Sequence, residues 1–531
     1  MTRILEKFPF HPILIAVYPV AYLLSGNIGD VGVGAGLRAG LILIGTAMLA
    51  FLFSLLVTRD LRKSGIMALV MILVFFLIFF LLYAPLYHWL RDVRIFGEVL
   101  GRHRYLVPLT VFLILSSGLI SHFLLRRSKP KILRRLTFSL NTLSIILILI
   151  PLVGIISGVI RKQTTATLKP EALPPLAEMT IADGTAPDIY LIVLDMHVSD
   201  TALKNLTGYE DPAFSAGLQD RGFYVAGCSR SNYPVTQHSL TSELNMDYLD
   251  ELTGSTETGV IYQYMQSSRV QRTVEAAGYR TFAFETGFSF TDLVSADEFL
   301  SPVGSASAWL AYPGISPFES LILQISGGKI LYETRDQLSR GMQYAIDAAY
   351  VEYRDRILYD LDTLPVVAQE VGPKFVFAHI LAPHPPFVFD RDGNFIYRMT
   401  PFSLNMDPEG YDFYEFSDAY YEELLYLHQR ILGVVDEILR VSETPPIIII
   451  QGDHGIPRTA HRNAQYEIYT AIHMGGANSD ALYSTISPVN TFRVIFNQLY
   501  GTDYELLPDE SYIINEDEGT HLQFDGVFNC P

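Results

Sequence analysis

Hydrophobicity is spread unevenly along this 531-residue chain, and that limits what it can fold into more than any other feature. Roughly the first 160 residues are apolar with short charged breaks, while the rest has the mixed composition of a globular domain. Stretches near 10–26, 37–57, 65–88, 105–125 and 138–160 are each about long enough to cross ~30 Å of hydrocarbon. The third, Ile66 to Tyr83, is the clearest, and the first is interrupted by Pro12 and Pro19. More spans follow it and no small-residue cleavage site stands out, so it does not read as a removable signal. With the N-terminus inside, the inner loops hold the larger share of Lys and Arg, among them Arg59, Arg62, Lys63, Arg126, Arg127 and Arg134. An odd number of spans then puts everything after residue 160 outside. The basic segment 89–104 reads as an amphipathic helix lying on the outer surface.

Residues 161–186, with Thr164, Thr165, Pro170, Pro174 and Pro175, form a stiff polar linker. The formal net charge is −18 and the acids lie mostly after residue 170, so no basic patch invites nucleic acid. Two cysteines, Cys228 and Cys530, exclude a disulfide framework or a structural cysteine zinc site. Outside the cytoplasm these two could pair.

The globular part is organised around Pro445-Pro446-Ile447-Ile448-Ile449-Ile450-Gln451-Gly452-Asp453-His454-Gly455. Uninterrupted β-branched residues suit a central parallel strand buried on both faces. It delivers an acid and an imidazole to its carboxyl end, the edge where open α/β sheets bind ligands. Asp with His suits a divalent metal such as zinc or manganese, though alone the pair could be a polar turn. Two more strands end alike. Ile189 to Leu194 runs into Asp195, and Lys374 to Ile380 carries His379 and leads to His384 between prolines. A lone His379 would ordinarily be a core histidine, and Asp195 alone a cap or turn acid. Between the first two strands a polar run, Cys228 to Ser242, feeds a helix. Thr236, Ser239 and Thr241 are each candidates for its cap or for a hydroxyl nucleophile, and spacing does not choose among them. A helix over about 417–442 has apolar spacing at Leu424, Leu427, Ile431, Val435 and Ile438. Residues 304–340, aromatic and Gly/Ser-rich, are expected to shape a pocket or pack near the membrane.

At this point the chain resembles the alkaline phosphatase/sulfatase superfamily. It looks most like the membrane-anchored branch of lipoteichoic acid synthases, phosphoethanolamine transferases and phosphoglycerol transferases. The motifs carrying the resemblance are Tyr190 to Asp195, Ser231 to Thr236, His379 to His384 and Gly452 to Gly455. It implies a bundle of about five transmembrane helices (1–160), the linker (161–186) and an α/β sulfatase-like domain (187–531) whose mostly parallel sheet is covered by helices. It also implies one divalent ion, zinc or manganese, held by Asp195, Thr236, Asp453 and His454, and allows a second, transient ion. Thr236 matches the nucleophile, while His384, His379, His461 and Asn232 fall among the substrate contacts. Asp195 matches by position, since many members have Glu there. Cys228-Ser229-Arg230 lacks the C/S-x-P-x-R pattern of formylglycine sulfatases and stands eight residues before Thr236. The implied activity is transfer of a phosphoethanolamine- or phosphoglycerol-type group from a phospholipid donor to an envelope glycan or lipid, in a bacterial inner membrane with the catalytic domain outside. A sulfatase or phosphodiesterase-type hydrolase, or a non-catalytic envelope-binding relative, remains the alternative.

Overall fold

The computed structural model describes residues 2–29, 31–90, 93–95, 98–99, 103–167, 186–253, 258–302, 312–404, 413–456, 462–515 and 520–524. The chain forms two compact units. One contains Met1–Arg161, Ala306–Ala349 and Arg398–Ser403, and the other contains Lys162–Ser305, Tyr350–Tyr397 and Leu404–Pro531.

The first unit is helical: α1 (His11–Gly26), α2 (Leu37–Thr58), α3 (Leu61–Phe76), α4 (His103–Leu125) and α5 (Pro130–Thr167). A π turn, Leu77–Leu82, prolongs α3. Four helical stretches, Val33–Thr58, Leu61–Leu82, His103–Leu125 and Pro130–Ile160, are long and apolar enough to cross a membrane. The expected first span falls short, because α1 has 16 residues and Pro19 inside it, or about 24 Å at ~1.5 Å per residue. Leu49, Leu56 and Leu124 are 70%, 79% and 75% exposed, which suits hydrocarbon rather than water as their surroundings. Between α2 and α3, Arg59 takes a left-handed conformation and Asp60 caps α3 by accepting from the Arg62 and Lys63 amides.

A polar knot lies inside this unit. The Asn141 carboxamide oxygen accepts from the amides of Phe10 (2.9 Å) and His11 (3.0 Å) and meets the His11 ring at 2.9 Å. Its NH2 donates to the carbonyls of Leu5 (2.7 Å) and Phe8 (2.8 Å). One side chain thus satisfies the chain entering α1, where hydrocarbon offers no alternative partner. The expected amphipathic helix over 89–104 is not what the described residues of that segment show: Arg94–Ile95 pairs antiparallel with Glu98–Val99.

The second unit holds a seven-stranded sheet. Its strands are β1 (Ile189–Leu194), β2 (Tyr224–Val225), β3 (Arg280–Phe284), β4 (Glu298–Leu300), β5 (Lys374–Ile380), β6 (Ile447–Gln451) and β7 (Thr470–Met474). Their order is β2-β7-β6-β1-β5-β3-β4, parallel from β6 to β4 and antiparallel at β7 and β2. The expected mostly parallel architecture is what forms. Every residue of β1, β5 and β6 is buried, which is why these strands show no polar alternation. On one face Leu191, Phe377 and Ile449 join a core with Leu240, Leu244, Phe492 and Phe496. The apolar stripe of the helix Phe413–Val441 is buried as its spacing predicts. Cys228 is disulfide-bonded; Cys530 lies outside the described residues.

Replacing Asn141 with Leu strands the backbone groups it satisfies. The loss expected is about 1–3 kcal/mol, read as a lower unfolding temperature of the detergent-solubilised protein. An unchanged temperature would show that the knot is dispensable.

Candidate metal centre

Strand register builds this site. In β1, Val193 pairs with His379 of β5 and with Gln451 of β6. Two residues further on, Asp195 and Asp453 therefore leave neighbouring strands at the same level, and His379 sits beside them. The two glycines flanking Asp453-His454 serve close approach. A Cβ on Gly452 would lie 2.2 Å from the His197 carbonyl oxygen, and one on Gly455 would lie 1.8 Å from that of Ala464. Neither glycine has positive φ, whereas Met196, directly after Asp195, does (64°). The turn at Met196 aims its amide at Asp453 Oδ1 (3.1 Å), which leaves Oδ2 facing inward.

The imidazoles are oriented by fixed acceptors. His454 Nδ1 lies 2.7 Å from the Gly455 carbonyl and His384 Nδ1 lies 2.6 Å from that of Pro385. A carbonyl only accepts, so both Nδ1 atoms carry the proton. His379 Nδ1 lies 3.0 Å from Thr291 Oγ1, whose own hydrogen has the Phe288 carbonyl at 3.2 Å. In the neutral rings, Nε2 is then a lone pair. His379 Nε2 is 3.4 Å from Asp195 Oδ2, and His454 Nε2 is 3.7 Å from Asp195 Oδ1 and 3.5 Å from Asp453 Oδ2. While these rings are neutral, acceptors face acceptors. Asp195 Oδ1, Asp453 Oδ2 and His379 Nε2 have no hydrogen-bond partner although all are buried. One ligand atom from each of Asp195, His379 and Asp453 lies within 4.8 Å of the others. Two carboxylates and an imidazole held this way fit a divalent cation, and the Met196 amide and Thr291 hydroxyl already orient Asp453 and His379 for it. Burial pushes the Asp195 carboxyl up, but His384, His379 and His454 outweigh it and hold it at about 2. Burial lowers His454, and the facing carboxylates of Asp453 and Asp195 more than reverse this.

The structure chooses among the hydroxyls. The helix α6 (Thr236–Asn245) is preceded by Val235, which makes no side-chain cap. Thr236, its first residue, turns Oγ1 to 3.2 Å from His454 Nε2. Ser239 instead donates to the Asp453 carbonyl (2.6 Å), and Thr241 to that of Gln237. His379, read from sequence as a substrate contact, stands among the metal-type donors. His384 is half-buried nearby. The Asn232 carboxamide accepts from the Val489 amide (2.9 Å) and donates to the Glu510 carbonyl (2.8 Å), which holds the loop before α6. His461 lies outside the described residues. Sequence reasoning missed Thr291, which has no distinguishing neighbours, and named Ser239 only as a candidate cap or nucleophile, not as the residue that holds the Asp453 backbone. It also missed Glu243, whose Oε2 accepts from Gln451 Nε2 (2.6 Å) beneath the site.

No family model matches the chain, and no curated protein does so. Among solved structures, the full-length lipooligosaccharide phosphoethanolamine transferase A (EptA) of Neisseria meningitidis aligns over 93% of this chain and 96% of its own, at 14% identity and TM-score 0.39. The zinc complex of the periplasmic domain of EptC from Escherichia coli aligns over 63% of this chain and 87% of its own, at 17% identity and TM-score 0.39. A 2-O GAG sulfatase aligns over 60% and 71%, at 11% identity and TM-score 0.36.

A divalent ion that binds only the folded state should stabilise it by about 2.7 kcal/mol at a hundredfold excess over its Kd. Zinc or manganese should therefore raise the unfolding temperature of metal-stripped protein, and Asp453→Asn should abolish the rise. No rise in the parent would contradict the site.

Burial lifts the Glu243 carboxyl well above 4.5, so between that value and the folded one the native state holds the extra proton. Stability then falls as pH rises through this window. Glu243→Gln should flatten the stability curve above pH 4.5, and an unchanged slope would refute a neutral Glu243.

Proposed function

We propose that this chain is a divalent-metal-dependent, membrane-anchored transferase. It moves a phosphoethanolamine- or phosphoglycerol-type group from a phospholipid to an envelope glycan or lipid through a phospho-Thr236 intermediate. The observation that carries this reading is the Thr236 hydroxyl, which starts a helix and hydrogen-bonds His454 Nε2 at 3.2 Å, beside metal-type donors that lack partners. Asp195, His379 and Asp453 would hold the ion, with His454 and Thr236 at its margin. Bound there, a divalent cation supplies Lewis-acid polarisation and lowers the pKa of a neighbouring hydroxyl.

The chain's own groups account for the rest. His454, with Nδ1–H committed to Gly455, has Nε2 free to take the Thr236 proton. The first-turn amides of α6 favour negative charge on Oγ1 and on the incoming phosphoryl group. The Oγ1–P bond forms as the bond from phosphorus to the donor's alcohol oxygen breaks, and that oxygen leaves with the proton that His454 took from Thr236. His384, oriented by Pro385, faces the phosphoryl oxygens. A second alcohol then takes the group from Thr236, which regains its proton. Anchoring donor and enzyme in one membrane raises their encounter rate. The Cys228 disulfide and the cation-rich loops support a second unit outside the cytoplasm and an N-terminus within it.

Incubation with phospholipid and metal, followed by peptide mass spectrometry, tests this. The expected result is an adduct on the Thr236 peptide, absent in Thr236→Ala and lost on adding an acceptor alcohol. Steady release of the group without any acceptor would make the enzyme a hydrolase. No adduct in metal-loaded protein supplied with several lipid classes would overturn the covalent route.

A further inference from the structure

The membrane-type unit contains a cavity of about 390 Å³, within the range of small-molecule sites, about 300–1,000 Å³. Three irregularities of the helical frame converge on it. Pro19 interrupts α1, the π turn after α3 presents Phe79 and Phe80, and the short helix α7 (Pro317–Gln324) presents Ile322. Leu43 of α2 closes another side. A π turn inside a long helix commonly marks a functional position.

The chemistry of the lining decides what fits. Its charged residues, Arg38 and Glu319, are spent on each other. Arg38 Nε donates to Glu319 Oε1 at 2.7 Å, and its other nitrogens reach Glu319 and the carbonyls of Tyr312 (2.8 Å) and Gly314. Glu319 also closes a capping box with Ser316. A buried water needs two to four polar partners, and what remains of the lining is apolar. An empty space would leave its walls without van der Waals contacts, on which helix association in hydrocarbon depends. The neighbouring medium along these helices is hydrocarbon, as exposed Ile42 and Leu49 on α2 indicate. The cavity lies where α1 ends, α2 begins and the α3 extension ends. That end is opposite the cation-bearing α2–α3 turn.

We infer that this cavity holds one acyl chain of a membrane phospholipid. Segment 312–331, returned to this unit from far along the sequence, forms one wall. The site is a binding site for a lipid chain and does not depend on which group is transferred elsewhere.

The test uses the full chain in nanodiscs of phosphatidylcholine and phosphatidylglycerol. These are doped with a phosphatidylcholine bearing a diazirine midway along one chain. After irradiation, peptide mass spectrometry should find adducts on the peptides containing Phe79–Phe80 and Ile322. Leu43→Trp, which fills the cavity, should cut those adducts about fivefold and leave labelling at Leu56 and Leu124 unchanged. Ile322→Trp provides the same test if Leu43→Trp fails to fold. Labelling confined to Leu56- and Leu124-type faces, or indifferent to both fillings, would overturn the inference. So would labelling of the cavity by a diazirine fatty acid but not by the phospholipid. Thr236→Ala should label as the parent does, which separates this result from the transfer reaction.

Discussion

Two carboxylates and two imidazoles converge inside the second unit, and the Asp195 Oδ1, Asp453 Oδ2 and His379 Nε2 atoms among them have no hydrogen-bond partner. Each buried charge left unpaired costs several kcal/mol, and a divalent cation bound among these atoms would offset that cost. The flanking structure serves that convergence. The Gly455 and Pro385 carbonyls and the Thr291 hydroxyl fix three rings. The Met196 amide and Ser239 fix Asp453 by side chain and backbone. The same geometry turns the Thr236 hydroxyl to His454 Nε2 at a helix start, where a hydroxyl would more often be spent on capping.

The sheet makes this inexpensive to position. β1 lies between β5 and β6, and parallel pairing fixes their ends in common register, so three distant segments deliver donors to one point without a long loop. A one-residue slip of β6 would carry Asp453 to the opposite face and remove it from the site. The continuous burial of Ile447 to Ile450 is therefore also what places the acid.

Much of this was legible beforehand. Unbroken apolar strands ending in Asp195 and Asp453 implied a buried parallel sheet with acids at its carboxyl edge, and the structure has that sheet. The helical first part was legible from hydropathy, save that α1 is too short and 94–99 pairs as strands. The division of labour among hydroxyls was not legible: Thr236, Ser239 and Thr241 differ only in which partner the helix start brings near. Nor was the fate of Asn232, since a carboxamide's partners are set by Val489 and Glu510, more than 250 positions away. His379 was ambiguous for a similar reason, because only the register beside Val193 separates a core histidine from a ligand. The return of 312–331 to the first unit depends on Arg38 finding Glu319, a pair that no local pattern announces.

The central claim is that the partnerless donors of β1, β5 and β6 form a divalent-cation site. Anomalous diffraction from crystals grown with zinc and with manganese, measured across each absorption edge, addresses it directly. The account predicts one strong peak about 2.0–2.2 Å from Asp195, His379 and Asp453 donor atoms. Fully metal-loaded protein with its peak elsewhere, or with none at these residues, would contradict it.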